Sequence, residues 1–243
     1  MIDLAKTVQF VEQSKGGAGK TVVATILGQY LKSKQPATYF YDTDANNKTF
    51  AGFKALEVER LNVLDDDSLV DQSKFDALLE KLANVDDVAL TDTGSGEFLA
   101  IVNYMTSTEV VPILEDAGKE VIFNVPITFD QSEKDTFTCL TILLQNFPTA
   151  KFIIWKNEHH GEDKGNIDFK QLAKKCTNII GFVEMPKLNA KLNGLDFQNM
   201  LLEKITFDEY ITNPNNMIGN RTRMKKLKQH YFDQLDAIFI SAE

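Results

Sequence analysis

Apolar residues alternate between two patterns along the chain. Short, nearly continuous apolar runs predict strands at Thr7–Gln13, Ala37–Asp42, Val88–Asp92, Glu120–Pro126, Lys151–Lys156 and Asn178–Val183, with a weaker one within Leu56–Leu64. Between them the spacing becomes helical, at Lys20–Ser33, Ser73–Leu82, Asp130–Asn146 and Ile167–Cys176. In Ser73–Leu82, Phe75, Leu78, Leu79 and Leu82 fall on one helical face. The last third predicts helices at Phe197–Lys204, Phe207–Ile211 and Arg221–Phe239, the third after a turn at Asn213–Pro214–Asn215–Asn216. Strands separated by helices predict βαβ units, hence an α/β fold whose mainly parallel sheet has helices on both faces. Neither a repeat nor an evident linker divides the chain. Residues 1–243 therefore read as one domain, with 210–243 as its C-terminal helical segment.

Composition narrows the class. The 243 residues are 43% hydrophobic and 25% charged, typical of a globular chain and too apolar for disorder. The net charge of −9 argues against a surface coated in basic residues for nucleic acid. Cys139 and Cys176 are too few for a disulfide framework, so a reducing compartment is expected. Both lie in helical patterns and read as buried or semi-buried free thiols. With no signal-peptide pattern and no run of about 18 apolar residues, a cytoplasmic location is expected.

The main chemical signal lies between the first strand and first helix: Ser14–Lys15–Gly16–Gly17–Ala18–Gly19–Lys20–Thr21. Glycines there let backbone N–H groups of Gly16–Val22 wrap phosphate oxygens at a helix N-terminus. Lys20 is placed to reach β/γ-phosphates, and the Thr21 hydroxyl to bind Mg²⁺. Asp42–Thr43–Asp44 leaves the second strand 22 residues beyond Lys20, and Asp92 ends the Val88–Asp92 strand. Asp42 reads from the residues as an Asx-turn at a strand exit, and Asp92 as a carboxylate for a Mg²⁺-bound water or as the cap of an ordinary strand-to-helix turn. Thr93–Gly94–Ser95–Gly96 then reads as a mobile switch loop.

The Lys-Gly-Gly-x-Gly-Lys-Thr form resembles the deviant Walker-A P-loop ATPases, which include plasmid-partition and division-site ATPases and nitrogenase iron proteins. That resemblance implies a P-loop NTPase fold, ATP and Mg²⁺ as ligands, and an ATP-state homodimer with Lys15 reaching the partner's nucleotide. It implies Asp42 as organiser of the Mg²⁺ and loop environment, Asp44 as the residue that orients attacking water, and Asn157 and Pro186 as the adenine pocket. Ala45–Asn46 stands where partition ATPases usually continue Pro-Gln. No cysteine follows Asp92 closely, as the iron proteins would require.

Further stretches resemble one branch, the TraL-type conjugal transfer proteins of plasmids. They include Gly28–Gln29–Tyr30, Thr49–Leu56, Asp92–Thr93–Gly94, Trp155–Glu158, Ile205–Glu209, Arg221–Lys225 and Phe232–Asp236. The resemblance implies a slowly hydrolysing ATPase switch that works with a conjugation or type IV secretion partner. A partition-like ATPase binding DNA non-specifically and a non-hydrolysing nucleotide-bound scaffold remain alternatives. Arg221, Arg223, Lys225, Lys226 and Lys228 form the one basic cluster suited to DNA backbone. Asp233 and Asp236 in the same helix disfavour a membrane role. Glu158–Asp163, with His159 and His160, reads as a solvated loop, as does the charge run Asp65–Asp67.

Overall fold

The computed structural model describes residues 2–44, 47, 49–63 and 71–240, so Asp65–Asp67 and Ala45–Asn46 lie outside the described residues. Its strands are β1 (Thr7–Val11), β2 (Thr38–Asp42), β3 (Glu59–Arg60), β4 (Val88–Asp92), β5 (Glu120–Thr128), β6 (Lys151–Asn157) and β7 (Ile179–Met185). They form one sheet in the order β3-β2-β4-β1-β5-β6-β7. Every recorded pairing is parallel. The helices are α1 (Lys20–Lys34), α2 (Gln72–Asn84), α3 (Phe98–Ser107), α4 (Val110–Asp116), α5 (Glu133–Asn146), α6 (Phe169–Lys175), α7 (Asn193–Glu203), α8 (Phe207–Thr212) and α9 (Ile218–Phe239).

The central strands read as unbroken apolar runs because both of their faces are covered; every residue of β1 and β4 is buried. One face carries α2 to α6, with Phe75, Leu78, Leu140 and Leu143 packed near Phe123 and Phe152. The other carries α1 and α7 to α9, where Leu27, Leu31, Met224 and Leu235 pack with Trp155 and Val183. One buried polar line crosses the sheet on this second side. Trp155 Nε1 donates to Asn124 Oδ1 (3.0 Å), Asn124 Nδ2 to Gln9 Oε1 (3.1 Å), and Gln9 Nε2 to Thr7 Oγ1 (3.2 Å). Each member thus has a partner that offsets its desolvation.

The two edges are protected differently. β3 is only two residues long. β7 is overlaid by α9: Gln234 accepts from the Glu184 backbone N–H (2.7 Å) and donates to its carbonyl (3.2 Å). Gly181 makes room for this contact, since a Cβ there would stand 2.5 Å from Ile238. The Glu184 edge groups are therefore occupied, which interrupts the row that could template another strand.

Candidate nucleotide site

Parallel order gathers the chemistry at one end of the sheet. Asp42 and Asp92 are register partners at the C-terminal ends of β2 and β4, and Asp92 faces Val11 of β1. Such ends are where open α/β sheets bind ligands. The phosphate loop leaves β1 at this end and opens α1. Gly17 (φ 78°) and Gly19 (φ 99°) adopt left-handed backbone that side chains disfavour. At Gly19 a Cβ would also stand 2.7 Å from Asn157 Nδ2.

The predicted residues converge. Lys20 is buried in the first turn of α1. Thr21 Oγ1 donates to Asp92 Oδ2 (2.8 Å), while Asp92 Oδ1 has no hydrogen-bond partner. Burial, with Asp42 nearby and against the Thr21 hydrogen bond, pushes the Asp92 carboxyl up to about 8. Asp42 accepts from the backbone N–H groups of Asp44 (3.1 Å) and Ala51 (2.9 Å), and burial raises its pKa as well. The Asx-turn reading of Asp42 is thus realised. Asp44 is buried and accepts from the Asn47 N–H (2.9 Å). The Thr43 N–H donates to the Asp92 carbonyl (2.9 Å), stitching the two loops together. Thr21, Asp42 and Asp92 form a set of hard oxygen donors, with one buried oxygen unpartnered, which fits Mg²⁺.

Asn157 lies against the loop: its Nδ2 donates to the Ala18 carbonyl (3.0 Å) and its Oδ1 accepts from the His159 N–H (3.1 Å). Each half of the amide keeps a second bonding position. Beside it opens a groove of about 590 Å³, lined by Gly17, Gly19, Val22, Asn157, Pro186 and Phe197 among others. That size suits a small organic ligand. His159 and His160 also line it, so this loop borders the groove rather than only solvent. Their rings meet edge to face at 4.5 Å, and burial lowers the His159 pKa.

Lys15 stands at the leading edge of the loop, its Nζ 3.3 Å from Asp135 Oδ2 in α5. The basic cluster of α9 is partly spent within the fold: Arg223 pairs with Asp196 (2.7 Å) and Lys228 with Asp208 (2.6 Å). Lys225 and Lys226 are exposed, and Arg221 Nε is buried without a hydrogen-bond partner. Cys139 is buried in α5, where desolvation pushes its thiol up to about 12; Cys176 is half-buried at the C-terminal end of α6. Among the described residues, no group of three or more His, Cys, Asp or Glu side chains is arranged to hold a metal, and no helix is long and apolar enough to cross a membrane.

Three participants carry no motif. Glu12, only 1% exposed, follows β1 directly, beneath the loop. Neither of its carboxylate oxygens makes a hydrogen bond, the Thr93 hydroxyl being turned to the Val11 carbonyl (2.9 Å). Burial pushes it to about 8, against the pull of Thr93 and Lys20. Gln13 and Asp135 bracket Lys15. The polar pair Glu12–Gln13 at the end of an apolar strand is the signal that could have marked the first two.

No family model matches the chain. It is 34% identical over 236 residues to Protein TraL of Escherichia coli, covering 95% of this chain and 97% of that protein. A second Escherichia coli Protein TraL is 33% identical over 234 residues, covering 94% and 97%. Among solved structures, the fold is similar to the cell division ATPase MinD of Pyrococcus furiosus (TM-score 0.54, 15% identity, 93% of this chain and 98% of that one). It is also similar to the septum site-determining protein MinD of Pyrococcus horikoshii, solved with Mg-ADP (TM-score 0.53, 16% identity, 97% and 99%).

Proposed function

The chain belongs to the TraL family, and from that membership and the geometry of its phosphate loop we propose that it is a slow, Mg²⁺-dependent ATPase that dimerises around ATP in plasmid conjugation. The carrying observation is the strand–loop–helix at Gly16–Val22, with Thr21 tied to Asp92 at 2.8 Å. Two left-handed glycines bend this loop into the N-terminus of α1, where backbone N–H groups would bind an anion, and Lys20 lies buried in the first turn. Mg²⁺, held through Thr21 with Asp92 and Asp42 around it, would neutralise charge on the β/γ-phosphates. Asp44 orients the attacking water. Asn157 and Pro186 border the adenine. Lys15, at the exposed rim, is the cation offered to a second protomer's nucleotide. Residues 1–243 act as one such unit in the cytoplasm, reporting nucleotide state to a conjugation or type IV secretion protein.

ATP turnover and oligomer size, each measured with and without ATP, test this for the wild type and for Asp44→Ala. The wild type should hydrolyse slowly and dimerise only with ATP. Asp44→Ala should lose turnover and persist as an ATP-bound dimer. Equal turnover in Asp44→Ala, or a monomer under every condition, overturns the proposal. ATP-dependent dimers without wild-type turnover would identify a nucleotide-bound scaffold instead.

A further inference from the structure

Gln13 is completely buried where β1 becomes the phosphate loop. Its amide meets three segments. Nε2 donates to the carbonyls of Pro126 in β5 (2.7 Å) and Thr136 in the first turn of α5 (3.2 Å). Oε1 accepts from the Ser14 hydroxyl and the Lys15 N–H, both at 3.4 Å. All four bonding positions of the amide are thus used. Thr136 is itself fixed, its hydroxyl donating to the Glu133 carbonyl (3.0 Å) and accepting from the Thr128 N–H (3.3 Å).

The same helical turn reaches Lys15 from its other end, through the ion pair with Asp135. The two grips differ in strength. Gln13 itself is anchored to β5 by a short, buried 2.7 Å bond and meets the Lys15 N–H at a longer 3.4 Å, whereas the Lys15–Asp135 pair is half-exposed and of small energy. Lys15 thus leaves the loop beside an anchored side chain and is releasable at its tip.

We propose that Gln13 is a positioning residue for Lys15: with Asp135 it lets the first turn of α5 set where the Lys15 ammonium points before phosphate draws it away. The catalytic consequence rests on the reading of Lys15 given above.

The test is trace acetylation of the nucleotide-free protein with acetic anhydride. Lys15 is quantified by mass spectrometry against Lys6 as internal standard. Gln13→Met, nearly isosteric but without donors, and Asp135→Asn should each raise Lys15 labelling relative to Lys6 by roughly threefold, the scale of one weak ion pair. Gln13→Met should also lower kcat about tenfold with KM little changed, and this loss should vanish in a Lys15→Ala background. Unchanged labelling, or the same factor lost with Lys15 absent, overturns the proposal. Should Gln13→Met fail to fold, labelling of Asp135→Asn decides alone. A wild type that labels as expected but never turns over ATP would sink the ATPase reading while leaving the positioning intact.

Discussion

A carboxylate buried without a hydrogen bond works against folding whenever it is charged, and Glu12 is such a group. Its folded pKa, near 8, lies above the ordinary value of 4.5. The native state therefore holds a proton that the unfolded chain releases, and stability falls as pH rises between these two values. Glu12→Gln keeps the shape without the charge. It should raise Tm by several degrees at pH 8 and by little at pH 5, read by thermal melts of both proteins across that range. An equal gain at both pH values would show that charge is not the cause. At this scale the sequence was legible where a motif fixes the spacing: Thr21 and Asp92 meet at 2.8 Å, and Lys20 is buried in the same helical turn. Glu12, Gln13 and Asp135 were not, because a lone polar residue has no signature until its neighbours are known.

Elements were legible where a single period dominates. Val88–Asp92 is a strand over the expected residues, and α1 runs one residue past its expected end. α3 and α4 lie in a span for which no helix was named. α3 is apolar around much of its circumference, and Glu109, with φ 54°, breaks the run between the two helices. α7 begins at Asn193, four residues before the expected Phe197, because Gly194 in its first turn weakens the local helical signal. β3 is set by pairing with β2 rather than by its own two residues. The seal of α9 over β7 is testable at Gly181, where Cβ space is already filled by Ile238. Gly181→Val should destabilise by about 1–3 kcal/mol through overpacking, measured by urea unfolding. Ile238→Ala should recover part of that loss in the double variant. A Gly181→Val protein as stable as wild type would mean that α9 does not press on the strand as described.

For the whole molecule, the net charge of −9 and the spending of Arg223 and Lys228 on internal pairs bear on nucleic acid. Exposed Lys225 and Lys226 are a small electrostatic footprint beside the 6–10 phosphate contacts of a strong non-specific binder. Random duplex should therefore not be retarded at about 0.15 M salt, with or without ATP, in a gel-shift titration. Retardation that weakens steeply with salt and disappears in a Lys225→Ala/Lys226→Ala variant would restore a DNA-binding role. The order β3-β2-β4-β1-β5-β6-β7 could not be read from the chain, since apolar runs reveal burial but not which strands become neighbours. That order places Asn157, more than a hundred residues from the phosphate loop, within a hydrogen bond of Ala18. The chain's one tryptophan, Trp155, sits two residues before it on β6, fully buried with its indole N–H committed to Asn124. The Asn157 hydrogen bond thus joins the loop to the strand that carries this fluorophore. As the sole indole of the chain, Trp155 offers a label-free optical probe of that strand, with no second indole in the emission.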